Sequence, residues 1–179
     1  MTGTELVETC AVSPWLVVLC WRDCRERRLP NAWTLGGLGL ILAWRLVMGG
    51  LPGFLSGVAA GFLAGAFLLL PFLLRGAGGG DVKMLAACGA FVGWERLLPL
   101  LVYTAFAGLG VAVGMWLFGR LDGRRVAHYG RCLFDWRYDR AAGRTGLPPA
   151  ESERVRVPFS LAIALGAWGA ILLPAIPRV

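Results

Sequence analysis

The feature that most limits what this chain can become is a set of six apolar stretches, at about 6–22, 34–51, 53–74, 82–95, 97–118 and 157–176. A helix rises about 1.5 Å per residue, so about 20 apolar residues cover the ~30 Å hydrocarbon core of a bilayer. Five of the stretches meet that length with some tilt, and such runs differ from the short periodic patterns of soluble helices. Composition agrees. Of 179 residues 57% are hydrophobic and 16% charged, with a mean hydropathy of +0.64, against about 45–50% and about 25% in an average soluble domain. The polar surface that a soluble core of this size needs is missing. The sequence therefore predicts an all-α polytopic membrane bundle of about six transmembrane helices, a single membrane-embedded domain over 1–179.

The fourth stretch is short: its apolar part, Met84 to Trp94, covers only about half the bilayer as a helix. Either Asp81 and Lys83 lie at membrane depth or the segment re-enters on one side, and charge decides between these. The net charge is +7 and the pI about 9.8, with 17 Arg among the 18 basic residues. Nucleic acid is not the expected partner, because most of these residues sit in short patches between apolar runs, the pattern of membrane topology. Arg22, Arg25, Arg27 and Arg28 follow the first stretch, Arg75 and Lys83 flank the turn after the third, and nine Arg lie in 119–156. If all six stretches cross, 15 of the 18 basic residues share one side, with Arg96 and Arg178 opposite and Arg45 inside the second stretch. A re-entrant fourth stretch sets the nine-Arg segment against the other patches, contrary to the Lys/Arg bias of cytoplasmic loops. The expected topology has both termini outside and 119–156 as a cytoplasmic loop.

Cys10, Cys20, Cys24, Cys88 and Cys132 are scattered in or beside apolar runs. They read as small packing residues without a disulfide or zinc pattern, so no metal or other cofactor is expected. His128, the only histidine, reads as a solvated side chain. Glu5 and Glu8 stand where a signal peptide has its basic n-region, so the first run is expected to remain as a span. Gly57-Val-Ala-Ala-Gly61, Gly61-Phe-Leu-Ala-Gly65 and Gly110-Val-Ala-Val-Gly114 let helix backbones approach closely. Packing within the chain accounts for them as well as pairing between chains, and the oligomeric state stays open. Trp21, Trp33, Trp94 and Trp116 near the predicted span ends suit a lipid interface, making membrane lipids the expected surroundings.

Acidic residues are few, and on this topology only Asp23 and Asp81 sit on the cytoplasmic side where a span meets a tight loop. Asp23 closes the first span. Pro30 and Asn31 follow, favouring a chain reversal in which Asn31 caps the second span or bonds its own backbone. Asp81 follows Gly76-Ala-Gly78-Gly79-Gly80 and precedes Val82-Lys83. Four glycines in five residues give backbone freedom and allow a helix or an extended substrate to come close. A phosphate loop is excluded, since that motif needs Gly-Lys-Ser/Thr and here a carboxylate stands where phosphate would be repelled. Ionisable residues near membrane depth are costly and mark functional sites. Two carboxylates brought together share one proton, so that the ionised member activates water while the protonated one polarises a carbonyl. That is the chemistry of amide hydrolysis without a covalent intermediate.

Asp23 with Pro30-Asn31, followed by Gly78-Gly-Gly80-Asp81-Val-Lys83, resembles the two signatures of the type IV prepilin peptidases, the GxGD class of intramembrane aspartic peptidases. Val157-Pro158-Phe159-Ser-Leu-Ala162-Ile163-Ala-Leu-Gly166 is similar to that family's entry into its last span. The resemblance implies that Asp23 and Asp81 are the catalytic pair, with Gly78, Gly80, Lys83, Pro30 and Asn31 in the active-site loops. It implies cleavage of a short basic leader from prepilin or pseudopilin precursors at the cytoplasmic face of a bacterial inner membrane. Longer members carry an N-terminal domain with paired CxxC motifs and an N-methylation activity. Neither is expected here, and the chain resembles the short peptidase-only form of Flp-type tight-adherence pili. Two alternatives stand beside this reading. One is a non-catalytic pilus-assembly protein; the other is a small ion or proton transporter using Asp23, Asp81 and Lys83.

Overall fold

A computed structural model describes residues 3–26, 30–73, 78–118 and 159–173, and among them there is no strand. The described residues form four helices: α1 (Gly3–Glu26), α2 (Asn31–Leu73), α3 (Gly79–Leu117) and α4 (Phe159–Leu172). Met1–Val111 with Pro158–Val179 form one compact unit, and Ala112–Val157 a second; of the second only 112–118, the end of α3, is described. Loop 119–156 with His128, and Arg27, Arg28 and Arg75, lie outside the described residues.

Where the sequence predicts separate second and third spans, the chain forms one long helix that folds back at Gly50, which has φ 59° and ψ −160°. Along a straight helix residues 45 and 57 would be about 18 Å apart. Instead a Cβ on Gly57 would lie 2.8 Å from Arg45 Cδ, and one on Gly53 would lie 3.0 Å from the Arg45 carbonyl oxygen. The fourth and fifth stretches are joined in the same way across Gly93, at φ 73° and ψ −176°. Both are left-handed backbone positions, open to glycine without the Cβ penalty. They place the breaks at a glycine in each case, a residue or more before the boundaries that hydropathy suggests.

Contacts along the arms fix their directions. Arm 79–92 runs beside 51–73 in the opposite sense: Cβ atoms on Gly57, Gly61 and Gly65 would meet Ala90, Ala86 and Val82 or Ala86 in turn. Arm 94–111 runs antiparallel to α4, with Arg96 Nη1 donating to the Ile171 carbonyl at 3.4 Å, Gly166 set against Thr104, and Gly108 near Phe159. Helix α4 is in turn antiparallel to α1, because Trp168 Nε1 donates to Ser13 Oγ at 3.1 Å while Cys20 Sγ meets the Ser160 carbonyl at 3.3 Å. Six helical segments thus alternate in direction.

The core they enclose is built from Leu16, Leu19, Leu68, Met84, Leu85, Leu100 and Ile163 with alanines between them. Outward, Leu40, Val47 and Phe62 are about three-quarters exposed (75%, 79% and 76%), a surface suited to hydrocarbon rather than water. Helix α2 over Asn31–Leu69 and helix α3 are long and apolar enough to cross a membrane.

Without a hydrophobic drive between helices in lipid, close packing of small residues must hold such arms together. A Cβ on Gly89 would lie 2.5 Å from Ala64 Cβ and 2.7 Å from the Ala60 carbonyl oxygen, whereas one on Gly39 meets nothing within 4 Å. Gly89→Ala is therefore expected to destabilise the detergent-solubilised protein by about 1–3 kcal/mol through overpacking. Gly39→Ala should leave its thermal midpoint unchanged or raise it slightly, by up to about 1 kcal/mol, through helix propensity. Thermal unfolding of the two variants side by side measures the difference.

Candidate functional site

The C-terminal turn of α1 and the N-termini of α2, α3 and α4 lie at one end of the larger unit. The antiparallel order of the segments requires this, and each terminus has a polar arrangement of its own.

At the start of α2 the Pro30 carbonyl accepts the N–H groups of Trp33 at 3.1 Å and Thr34 at 3.3 Å, and Thr34 Oγ1 lies 3.4 Å from the same oxygen. Pro30 thus occupies the cap position, with its carbonyl taking the first intrahelical bonds. The Asn31 side chain is engaged elsewhere, accepting a 2.7 Å hydrogen bond at Oδ1 from Lys83 Nζ. The two motifs that the sequence separates by some fifty residues are joined directly through this bond.

At the start of α3 the Gly78 carbonyl accepts Asp81 N–H at 3.1 Å and Val82 N–H at 3.4 Å. Gly78 N–H donates back to Asp81 Oδ2 at 2.9 Å. This reciprocal pair has the form of a capping box, in which a side chain at the third helical position satisfies the N–H of the cap. The Asp81 side chain is buried, with 8% of the residue exposed. A Cβ on Gly78 would lie 3.2 Å from Asp81 Oδ2, a tight approach against which the carboxylate would have to shift slightly. Gly79 and Gly80 are already helical, and among the described glycines only Gly50 and Gly93 have positive φ. Those two positive-φ glycines lie at the opposite end of the bundle, and Gly76 and Ala77 of the run lie outside the described residues.

Asp23, half-buried in the last turn of α1, accepts a 2.5 Å hydrogen bond at Oδ2 from the hydroxyl of Ser160. Ser160 is fully buried at the head of α4. The α1 terminus is flanked by cations over aromatic rings: the Arg22 guanidinium lies 5.8 Å from the Trp33 ring centre and that of Arg25 5.4 Å from the Trp21 ring centre. Trp15 Nε1 ties α1 to α2 by donating to the Trp33 carbonyl at 3.1 Å.

The structure thus pairs Asn31 with Lys83, Gly78 with Asp81, and Asp23 with Ser160. Ser160 was not singled out by sequence, although it lies in the Val157–Gly166 segment that carries part of the resemblance. Arg45, the remaining intramembrane charge in the transporter alternative, is at the other end of the bundle. There its Nε donates to the Gly53 carbonyl at 3.0 Å and its Nη1 to that of Phe91 at 2.8 Å. It serves as a backbone clip and forms no charge path with the aspartates. Among the described residues no three His, Cys, Asp or Glu side chains are grouped as metal ligands would be.

Comparison with known proteins gives a consistent result. Residues 10–113 match the type IV leader peptidase family. A prepilin leader peptidase/N-methyltransferase of Myxococcus xanthus is 31% identical over 121 residues, covering 63% of this chain and 36% of that protein. One from Aeromonas hydrophila is 34% identical over 110 residues, covering 56% and 37%. The leader peptidase HopD of Salmonella typhimurium is 40% identical over 101 residues, covering 51% and 64%. The chain thus spans a little over a third of the length of the first two relatives. No solved structure matches it significantly.

Both partners of the Asn31–Lys83 bond lie inside the matched stretch, and their coupling is measurable. Asn31→Ala and Lys83→Met are each expected to lower stability by about 1 kcal/mol. The double variant should cost little more than either single one, because the second change removes a bond already lost. Fully additive losses in a thermal double-mutant cycle would show that the contact contributes nothing.

Proposed function

Since the chain belongs to the type IV leader peptidase family, we propose that it is a membrane aspartic endopeptidase that removes the leader of prepilin-like precursors, with Asp23 and Asp81 as its catalytic pair. The observation that supports this most is the gathering of both aspartate-bearing termini at one end of the bundle, each carboxylate held by a fixed donor.

The chemistry follows from two carboxylates sharing one proton. The ionised carboxylate takes a proton from a water whose oxygen attacks the scissile carbonyl carbon. The protonated one hydrogen-bonds to the carbonyl oxygen as negative charge develops on it. The tetrahedral intermediate then collapses with breakage of the C–N bond, and the departing nitrogen takes up a proton from the dyad. The products are a leader carboxylate and a new N-terminal amine, with both aspartates restored. Lys83, bound to Asn31, fixes α3 against α2 in this scheme.

In the membrane we place all six segments across the bilayer, with the site at the cytoplasmic face, following the distribution of Arg. The substrate's apolar helix packs against the Gly/Ala-rich segments while its basic leader sets orientation. A helical peptide bond hides its carbonyl from attack, so the scissile bond must unwind locally, which a small residue at the leader's end makes easy.

Asp23→Asn and Asp81→Asn keep the side-chain shape but cannot share the proton. Each should reduce precursor cleavage by at least about a hundredfold while expression and membrane insertion persist. Processing of a co-expressed precursor, followed by the mobility shift of its mature form, measures this. Near-normal processing by either variant would remove the pair assignment. Processing absent even from the unmodified protein, with a range of leader-bearing precursors, would favour the assembly-protein alternative.

A further inference from the structure

Ser160 lies outside the stretch that matches the family, yet it is the described residue bonded to the carboxylate of Asp23. We propose, resting on the catalytic pair above, that Ser160 is a positioning residue for the reaction, fixing the rotation of the Asp23 carboxylate so that its other oxygen faces the attacking water.

The argument begins with the torsion. The last torsion of an aspartate, between sp³ and sp² atoms, is broad and nearly two-fold, so packing alone defines the plane of the carboxylate poorly. At 2.5 Å from Oδ2, the Ser160 hydroxyl makes a short hydrogen bond, which pins that plane. Oδ1 has no bond partner among the described residues, so one oxygen is held while the other remains available.

Ser160 is itself immobilised. It is 0% exposed, and its carbonyl receives Cys20 Sγ at 3.3 Å. Cys20 and Asp23 are three residues apart on α1 and so share a face, gripping one residue of α4 at two points. A hydroxyl fixed at both backbone and side chain provides the rigid support that a catalytic group needs, since misplacement by about 1 Å can cost about a hundredfold in rate.

A seam residue with only a packing role offers the contrast. Trp168 joins the same two helices through its bond to Ser13, far along α4 from Asp23. If Ser160 merely fastened α4 to α1, Ser160→Ala and Trp168→Phe would behave alike.

The test measures steady-state cleavage of a purified precursor by the full chain in detergent, with thermal midpoints recorded in parallel. Ser160→Ala is expected to lower kcat by about ten- to a hundredfold with KM within about twofold of the parent. Its midpoint should be no lower than that of Trp168→Phe, which should keep its kcat. Ser160→Thr, which retains the hydroxyl, should recover most of the lost kcat. Parental kcat in Ser160→Ala, or equal kcat losses in Ser160→Ala and Trp168→Phe, would overturn the proposal. If Ser160→Ala fails to accumulate, Ser160→Cys carries the test: a weaker donor of similar size should reduce kcat, and a parental kcat overturns the assignment. Failure here is distinguishable from failure of the catalytic pair, because the latter appears as full activity in Asp23→Asn or Asp81→Asn.

Discussion

Everything in this fold depends on how backbone polar groups are satisfied where a helix surrounded by apolar side chains is broken. In hydrocarbon an unbonded carbonyl costs several kcal/mol, so a chain that reverses inside or near the membrane must supply donors at the reversal. Gly50 and Gly93 make the two turns possible by adopting positive φ, and Arg45 supplies the donors for both. One guanidinium reaches the Gly53 carbonyl past the first turn and the Phe91 carbonyl before the second. Gly93 has no side chain because the Arg45 guanidinium already occupies the space a Cβ would need. Ser56 completes the arrangement by accepting Trp94 N–H at 3.1 Å. A charge placed within an apolar stretch thus has a structural reason, and it lies at the end of the bundle away from the aspartates.

The opposite end solves the same problem with different chemistry. Helix starts leave unsatisfied N–H groups, and at the start of α3 the group that bonds back to the cap is one proposed to act on substrate. Asp81 folds back onto Gly78 and so belongs to the cap of α3 as well as to the proposed catalytic pair. On that proposal stability and function are coupled at this terminus, because any change that frees Asp81 for a new geometry also leaves the Gly78 N–H without its acceptor.

The apolar stretches were legible because hydropathy follows directly from residue type, and the four-glycine approach to Asp81 because its composition is so unusual. The exact breaks were less so. Hydropathy suggested boundaries near 51–53 and 95–97, whereas the turns centre on Gly50 and Gly93, since a glycine that must adopt positive φ looks no different in sequence from Gly39 or Gly110, which face open space. Lys83 illustrates a second limit. Its nitrogen meets Asn31, an acceptor 52 positions away in sequence that is brought near only by the parallel course of 31–49 and 79–92. Asn31 in turn looked like a cap, a role that the Pro30 carbonyl fills.

Ser160 shows why part of the site was not legible at all. Its hydroxyl meets Asp23 across 137 positions of sequence, and nothing in Val-Pro-Phe-Ser distinguishes this serine from one that caps its own helix. Only the antiparallel seating of α4 on α1, fixed two turns further on by the Trp168–Ser13 bond, brings it to the aspartate. The stretch matching the family ends at residue 113 and contains both aspartates, but the hydroxyl bonded to one of them comes from beyond it. Of the two proposed catalytic carboxylates, Asp81 is held within its own helix start and Asp23 by the last helix, so the matched stretch and the full set of contacts around the pair are separate properties of the chain.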